Sequence, residues 1–123
     1  MKKYILLFMV FFVTHLVAQE IPPSDKDKPL KEKIYAANKK KVMNFSKKQF
    51  DTLFFEFFKK KNNIDKILTK EEFYNYTIQI SIYSDRLAAL YPEEKVIALE
   101  NKKKWMAEDY EDYLKFIKSK INN

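Results

Sequence analysis

Residues 68–90 read LTKEEFYNYTIQISIYSDRLAAL, and the fold class depends on whether this run is a helix or a strand. Within it Ile78-Gln79-Ile80-Ser81-Ile82-Tyr83 alternates apolar and polar side chains with period two, the strand pattern. The start of the run decides against a strand. Thr69 is placed to cap the amide of Glu72 while Glu72 reaches back to the amide of Thr69, and Leu68 is placed to pack on Phe73 as a hydrophobic staple. Beyond that cap Phe73, Tyr76, Thr77, Ile80, Tyr83, Ser84 and Leu87 fall on one helical face, with Tyr74, Ile78, Ile82 and Ala89 on the other. A helix apolar on both sides is expected at the centre of a bundle. No other segment alternates with period two for long, so the chain is expected to be all-α.

The same start signal stands upstream in Phe45-Ser46-Lys47-Lys48-Gln49-Phe50, with Ser46 as cap, Gln49 as its partner, and Phe45 and Phe50 as the staple. The helix it opens carries Phe50, Leu53, Phe54 and Phe57 at i, i+3, i+4 and i+7 and runs to about Lys61. Phe55 and Phe58 lie outside that face. Residues 59–66 (KKKNNIDK) form the loop between the two capped helices, with Asn62-Asn63 supplying the turn. Before Ser46, residues 30–43 carry Leu30, Ile34, Ala37 and Val42 loosely spaced among lysines, a weaker amphipathic helix.

On the other side, Tyr91-Pro92-Glu93-Glu94 places a proline and two carboxylates where a helix N-terminus favours them. Nothing then breaks the chain to Ile121, which predicts one long helix of about 45 Å. Its expected inward face is Val96, Leu99, Met106, Tyr110, Tyr113, Leu114 and Ile117. Glu100 with Lys104, Lys104 with Glu108, and Glu111 with Lys115 are spaced for i,i+4 pairing. Trp105 and Phe116 lie opposite. The expected architecture is a small bundle of three to four helices with a long C-terminal helix, one domain over residues 30–123.

Residues 1–29 are expected to lie outside that domain. Lys2 and Lys3 precede the apolar run YILLFMVFFV and then Leu16-Val17-Ala18, the three-part pattern of a secretory signal peptide over 1–18, cleaved between Ala18 and Gln19. A retained anchor would need about 20 apolar residues, and Thr14 and His15 interrupt the run. Residues 19–29 (QEIPPSDKDKP), with three prolines, read as a flexible leader. The expectation is a product of about 105 residues, large enough for one core, periplasmic or secreted and without stable membrane insertion.

Composition narrows the chemistry further. The chain has 24 Lys+Arg against 17 Asp+Glu, one His, no Cys and no Gly. Absence of glycine removes phosphate-cradling loops and strained catalytic elbows. Cleavage would take His15 as well, leaving no residue for Ser-His-Asp or Cys-His catalysis and no ordinary zinc, copper or haem ligand set. Without Lys2 and Lys3 the net charge is about +5, which favours solubility. The runs Lys39-Lys40-Lys41, Lys59-Lys60-Lys61 and Lys102-Lys103-Lys104 could form an anion-binding surface or simply a solvated one. Base readout relies on arginine and this chain has only Arg86, so no nucleic-acid partner is expected.

Two clusters of oxygen ligands call for comparison with metal chemistry. Residues 61–73 (KNNIDKILTKEEF) resemble a calcium-binding EF-hand loop, with Asn63, Asp65 and Glu72 at positions three, five and twelve and Leu68 at the apolar position eight. Lys61 stands where the first carboxylate ligand belongs and Lys66 where the turn glycine belongs. Glu108, Asp109, Glu111 and Asp112 offer a second set of carboxylates, flanked by lysines at salt-bridge spacing, as on a solvated helix face. No catalytic residue, metal or cofactor is expected.

The aromatics off the expected core faces, Phe55, Phe58, Trp105 and Phe116, are the candidate binding residues, since monomers seldom leave such surface uncovered. The paired cap motifs FSKKQ and LTKEE are similar to the LTxxQ signatures of the Spy/CpxP family of periplasmic chaperones and stress sensors. Phe45-Ser46 replaces Leu-Thr in one copy and Glu72 replaces Gln in the other. That resemblance implies a basic, cradle-shaped helical dimer that holds unfolded clients. The leading expectation is a non-enzymatic exported helical protein of the bacterial envelope that binds another protein. The alternatives are a Spy/CpxP-like chaperone and a degenerate EF-hand-like calcium module.

Overall fold

The computed structural model describes residues 26–122, and among them every regular element is helical. In chain order these are α1 (Lys28–Val42), α2 (Lys47–Lys61), α3 (Lys70–Leu90), a 3₁₀ turn (Pro92–Glu94), α4 (Lys95–Met106) and α5 (Tyr110–Ile121). The signal peptide assigned to 1–18 lies outside the described residues, as does the leader through residue 25. The end of that leader belongs to the fold: α1 begins at Lys28, and Asp27 before it is buried.

Both capping boxes form. Ser46 Oγ accepts from the Gln49 amide at 3.1 Å and Gln49 Oε1 from the Ser46 amide at 2.8 Å. Thr69 Oγ1 accepts from the Glu72 amide at 3.1 Å and Glu72 Oε1 from the Thr69 amide at 2.9 Å. Two orphan amides are thereby satisfied at each helix start. The cap-based reading of residues 78–83 as helix holds.

α3 is the spine and touches all four other helices. Phe73, Tyr74, Ile78, Ile80, Ile82 and Tyr83 are buried around its circumference, which is why it is apolar on both sides. Phe73 stacks on Tyr113 of α5 with ring centres 5.0 Å apart, and Phe57 of α2 packs on it from another side at 5.9 Å. Burying such a ring is worth about 1.5–3 kcal/mol. Aromatic rings thus share the core with the aliphatic side chains Ile34, Val42, Leu68, Ile78, Ile80, Ile82 and Ile117. Polar bolts tie its edges: Tyr35 of α1 donates its hydroxyl to Asp85 of α3, and Lys102 of α4 reaches the same carboxylate at 3.1 Å.

The single long C-terminal helix does not form. It is interrupted at residues 107–109, so the described residues form five helices rather than three to four. Neither glycine nor proline makes the break. Asp109 takes extended backbone angles, φ −119° and ψ 130°, and its carboxylate accepts from the Glu111 amide at 3.3 Å. The Tyr110 amide donates to the Tyr74 hydroxyl of α3 at 3.0 Å, and Lys31 of α1 donates to the Met106 carbonyl at 2.6 Å. Helix ends leave amides and carbonyls without intrahelical partners, and here other helices supply them.

The break overturns part of the inward face expected for residues 96–106. Met106 packs on the core as expected, but Val96 is 71% exposed, beside Ile97 at 62%, while Ala98 is buried and Trp105 packs on the core. With 107–109 unwound, α4 turns independently of α5. On α5 the expected Tyr113 and Ile117 are buried, but Leu114 is exposed. The i,i+4 pairs assumed for a continuous helix also fail to form among the described residues, and Glu111 pairs with Lys26 instead of Lys115.

Candidate functional site

The polar cluster at the α4–α5 break is the most buried grouping of charge in the molecule's described part. Asp27, Lys31, Tyr74 and Asp109 are all buried. The Tyr74 hydroxyl donates to Asp27 Oδ2 at 2.6 Å, Lys70 reaches Asp27 Oδ1 at 2.9 Å, and the Lys31 ammonium lies over the Tyr74 ring at 5.1 Å. Burial, then the hydrogen bond to Asp27, raises the Tyr74 phenol well above its ordinary range, so Tyr74 is a fixed neutral donor. Every member has a structural role, joining the α1 start, α3 and the α4–α5 break.

The carboxylates Glu108, Asp109, Glu111 and Asp112 do not converge. Asp109 is the buried cap, Glu111 pairs with Lys26, and Asp112 faces solvent. In the EF-hand-like segment Asn63 Oδ1 accepts from the Asp65 amide at 2.9 Å, and Glu72 is held in the capping box. Leu68 is buried with both backbone groups engaged by α5: its amide donates to Tyr113 at 2.9 Å and its carbonyl accepts from Tyr110 at 2.8 Å. Among the described residues no three His, Cys, Asp or Glu side chains are grouped to hold a metal ion.

The lysine runs occupy the last turns of helices: Lys39, Lys40 and Lys41 in α1, Lys59, Lys60 and Lys61 in α2, and Lys103 and Lys104 in α4. Cations there complement the negative end of the helix dipole. Several also lie over rings, Lys60 on Tyr76 at 5.5 Å and Lys61 on Phe116 at 5.5 Å. The spacing of the runs was the available signal, because each ends where a helix ends.

The four candidate aromatics separate into two pairs. Trp105 is packed edge-on against Phe54 at 6.1 Å and Phe57 at 6.0 Å, and Phe116 is half-buried beneath Lys61 and Lys120. Both were expected to face away from the core; the independent turning of α4 brings Trp105 in, and Phe116 comes in because it lies three residues from Tyr113 and next to Ile117 on the buried face of α5. Phe55 and Phe58 do stand out, 66% and 58% exposed. Phe54 joins them to the packed rings, with centres 6.1 Å from Phe55, 6.5 Å from Phe58 and 5.9 Å from Phe50. Phe50 in turn stacks on Tyr83 of α3 at 4.1 Å.

A second exposed apolar surface went unread in the sequence. Residues 89–97, from the end of α3 through the 3₁₀ turn into α4, are all exposed and include Leu90, Tyr91, Val96 and Ile97. Apolar pairs on both sides of Pro92-Glu93-Glu94 were the available signal. Leu90 and Tyr91 also border a cavity of ≈480 Å³ with Phe50 and Lys47 at the start of α2. With this geometry established, comparison of the chain with protein-family models, curated proteins and solved structures finds no match.

Proposed function

We propose that this chain is a non-enzymatic, exported protein of the bacterial envelope that works by binding other protein, with the Phe55/Phe58 face of α2 as its contact surface. The observation that carries the reading is the exposure of those two rings, 66% and 58%, at the end of a continuous aromatic ladder whose other members are packed. Exposed aromatics of this kind are favoured as interface anchors. Ion pairs of α2 hold its acidic residues, Asp51 with Lys47 at 3.0 Å and Glu56 with Lys60 at 3.9 Å, leaving a basic rim around the rings. The signal-peptide pattern of residues 1–18 supports export.

Crosslinking in the native envelope, followed by mass spectrometry of everything attached, tests the reading. One or two stoichiometric protein partners are expected, lost when Phe55 and Phe58 are both replaced by Ser. A broad set of unrelated envelope proteins would instead support the Spy/CpxP-like chaperone reading. A chain that remains monomeric and carries no reproducible crosslink would overturn the proposal.

A further inference from the structure

Among the described residues ten large apolar side chains are exposed, and six of them fall on two surfaces of opposite charge. The first is the α2 face with Phe55 and Phe58. Asp51 and Glu56 being paired within α2, Lys48 and Lys59 are left without an acidic partner among the described residues, one on either side of Phe55 along the helix. The second is the corner at residues 90–97. It carries Leu90, Tyr91, Val96 and Ile97 around Glu93 and Glu94, neither of which is ion-paired among the described residues, and Lys95 leaves it one net negative charge.

Resting on the reading of α2 as a binding face, we propose that its partner is a second copy of this chain. Two copies pair about a two-fold axis, the acidic corner of each seated on the basic Phe55/Phe58 face of the other. Face on face would oppose Lys48 and Lys59 to their own copies, and corner on corner would do the same with Glu93 and Glu94. Like charges across an interface are strongly disfavoured, whereas face on corner is complementary in sign and apolar on both sides. An anionic lipid surface would attract the face but repel the corner, leaving the corner's apolar side chains uncovered.

The two surfaces are also neighbours within one molecule. Leu90 and Tyr91 share a cavity of ≈480 Å³ with Phe50 and Lys47, and from Phe50 the ring ladder leads through Phe54 to Phe58. Phe55 and Phe58 lie roughly 7–12 Å further along α2 than Phe50. In the proposed pairing a two-fold axis runs between the two patches, seating each on the other and closing the assembly, as isologous symmetry requires. Such a dimer covers Phe55, Phe58, Val96 and Ile97 together.

Sedimentation velocity on the intact protein purified from cells, over a concentration series, tests the pairing with surface charge variants that touch no buried group. Wild type is expected to sediment as a dimer that weakens in high salt. Lys48→Glu/Lys59→Glu makes face and corner both acidic, and Glu93→Lys/Glu94→Lys makes both basic, so each variant alone should lose roughly tenfold or more in dimer affinity. Mixing the two variants restores both contacts, and a one-to-one heterodimer is expected. A monomeric wild type, a dimer indifferent to either charge reversal, or a mixture that fails to pair would overturn the inference. A protein of other sequence crosslinked to the Phe55/Phe58 face of a monomeric wild type would overturn the second copy as occupant and leave α2 a binding face, whereas the absence of any crosslink, to self or other, would remove both readings.

Discussion

Asp27 shows how single side chains hold this fold together. Burial on its own would push its carboxyl up, but the Tyr74 hydroxyl and the Lys70 ammonium favour the charged form more strongly and hold it below its ordinary 3.8. A folded-state pKa below the unfolded one means that the stabilisation is present in full above the unfolded value and is lost as pH falls through the folded value. The difference in urea midpoint between wild type and Asp27→Asn is therefore expected to be flat above about pH 5 and to shrink below about pH 4. A difference that widens on acidification would contradict the assigned partners. Thr77 is the opposite case, a buried hydroxyl whose Oγ1 has no hydrogen-bond partner among the described residues. Thr77→Val keeps the shape and removes the unpaired oxygen, so a gain of about 1 kcal/mol is expected in urea unfolding. A loss there would mean that the hydroxyl is satisfied in solution. Residue roles of this kind were not legible in the sequence, since Tyr74, Tyr110 and Tyr113 read as core positions and the destinations of their hydroxyls depend on other helices.

At the scale of elements, local signals were reliable where the chain satisfies its own backbone. Ser46 with Gln49 and Thr69 with Glu72 close over three residues, so the starts of α2 and α3 follow from local geometry. Ser46→Ala or Thr69→Ala is expected to cost about 1 kcal/mol in denaturant unfolding. A negligible effect at Thr69 would show that tertiary packing alone positions α3. The break between α4 and α5 is a different kind of boundary. Residues 103–110 (KKWMAEDY) contain no residue that forbids helix, and the interruption depends on Lys31 and Tyr74, more than 30 residues away, supplying partners to Met106 and Tyr110. That single displaced boundary also lets α4 turn on its own, which brings Trp105 inward and leaves Val96 outside.

At the scale of the whole molecule, the described residues form a set of four helices around α3, and the inner and outer aromatics differ in consequence. Phe57 is 2% exposed between Phe73, Tyr76 and Trp105, so Phe57→Ala is expected to cost about 3–5 kcal/mol. In dilute solution at high salt, where the chain is monomeric, Phe55→Ala and Phe58→Ala should each change stability by no more than about 0.5 kcal/mol, because there they remove surface that water already covers. Equal losses at all three positions, measured by chemical denaturation, would refute the assignment of α2's outer face. The sequence by itself determined the all-helical class, the two capped starts, the central place of α3 and the surplus of aromatic surface, because caps and 3.6-residue periodicity act within a few residues. Tertiary structure alone decided the number of helices among the described residues, the burial of Asp27 and Lys31, and which aromatics remain outside. Each of those depends on partners that only packing brings together.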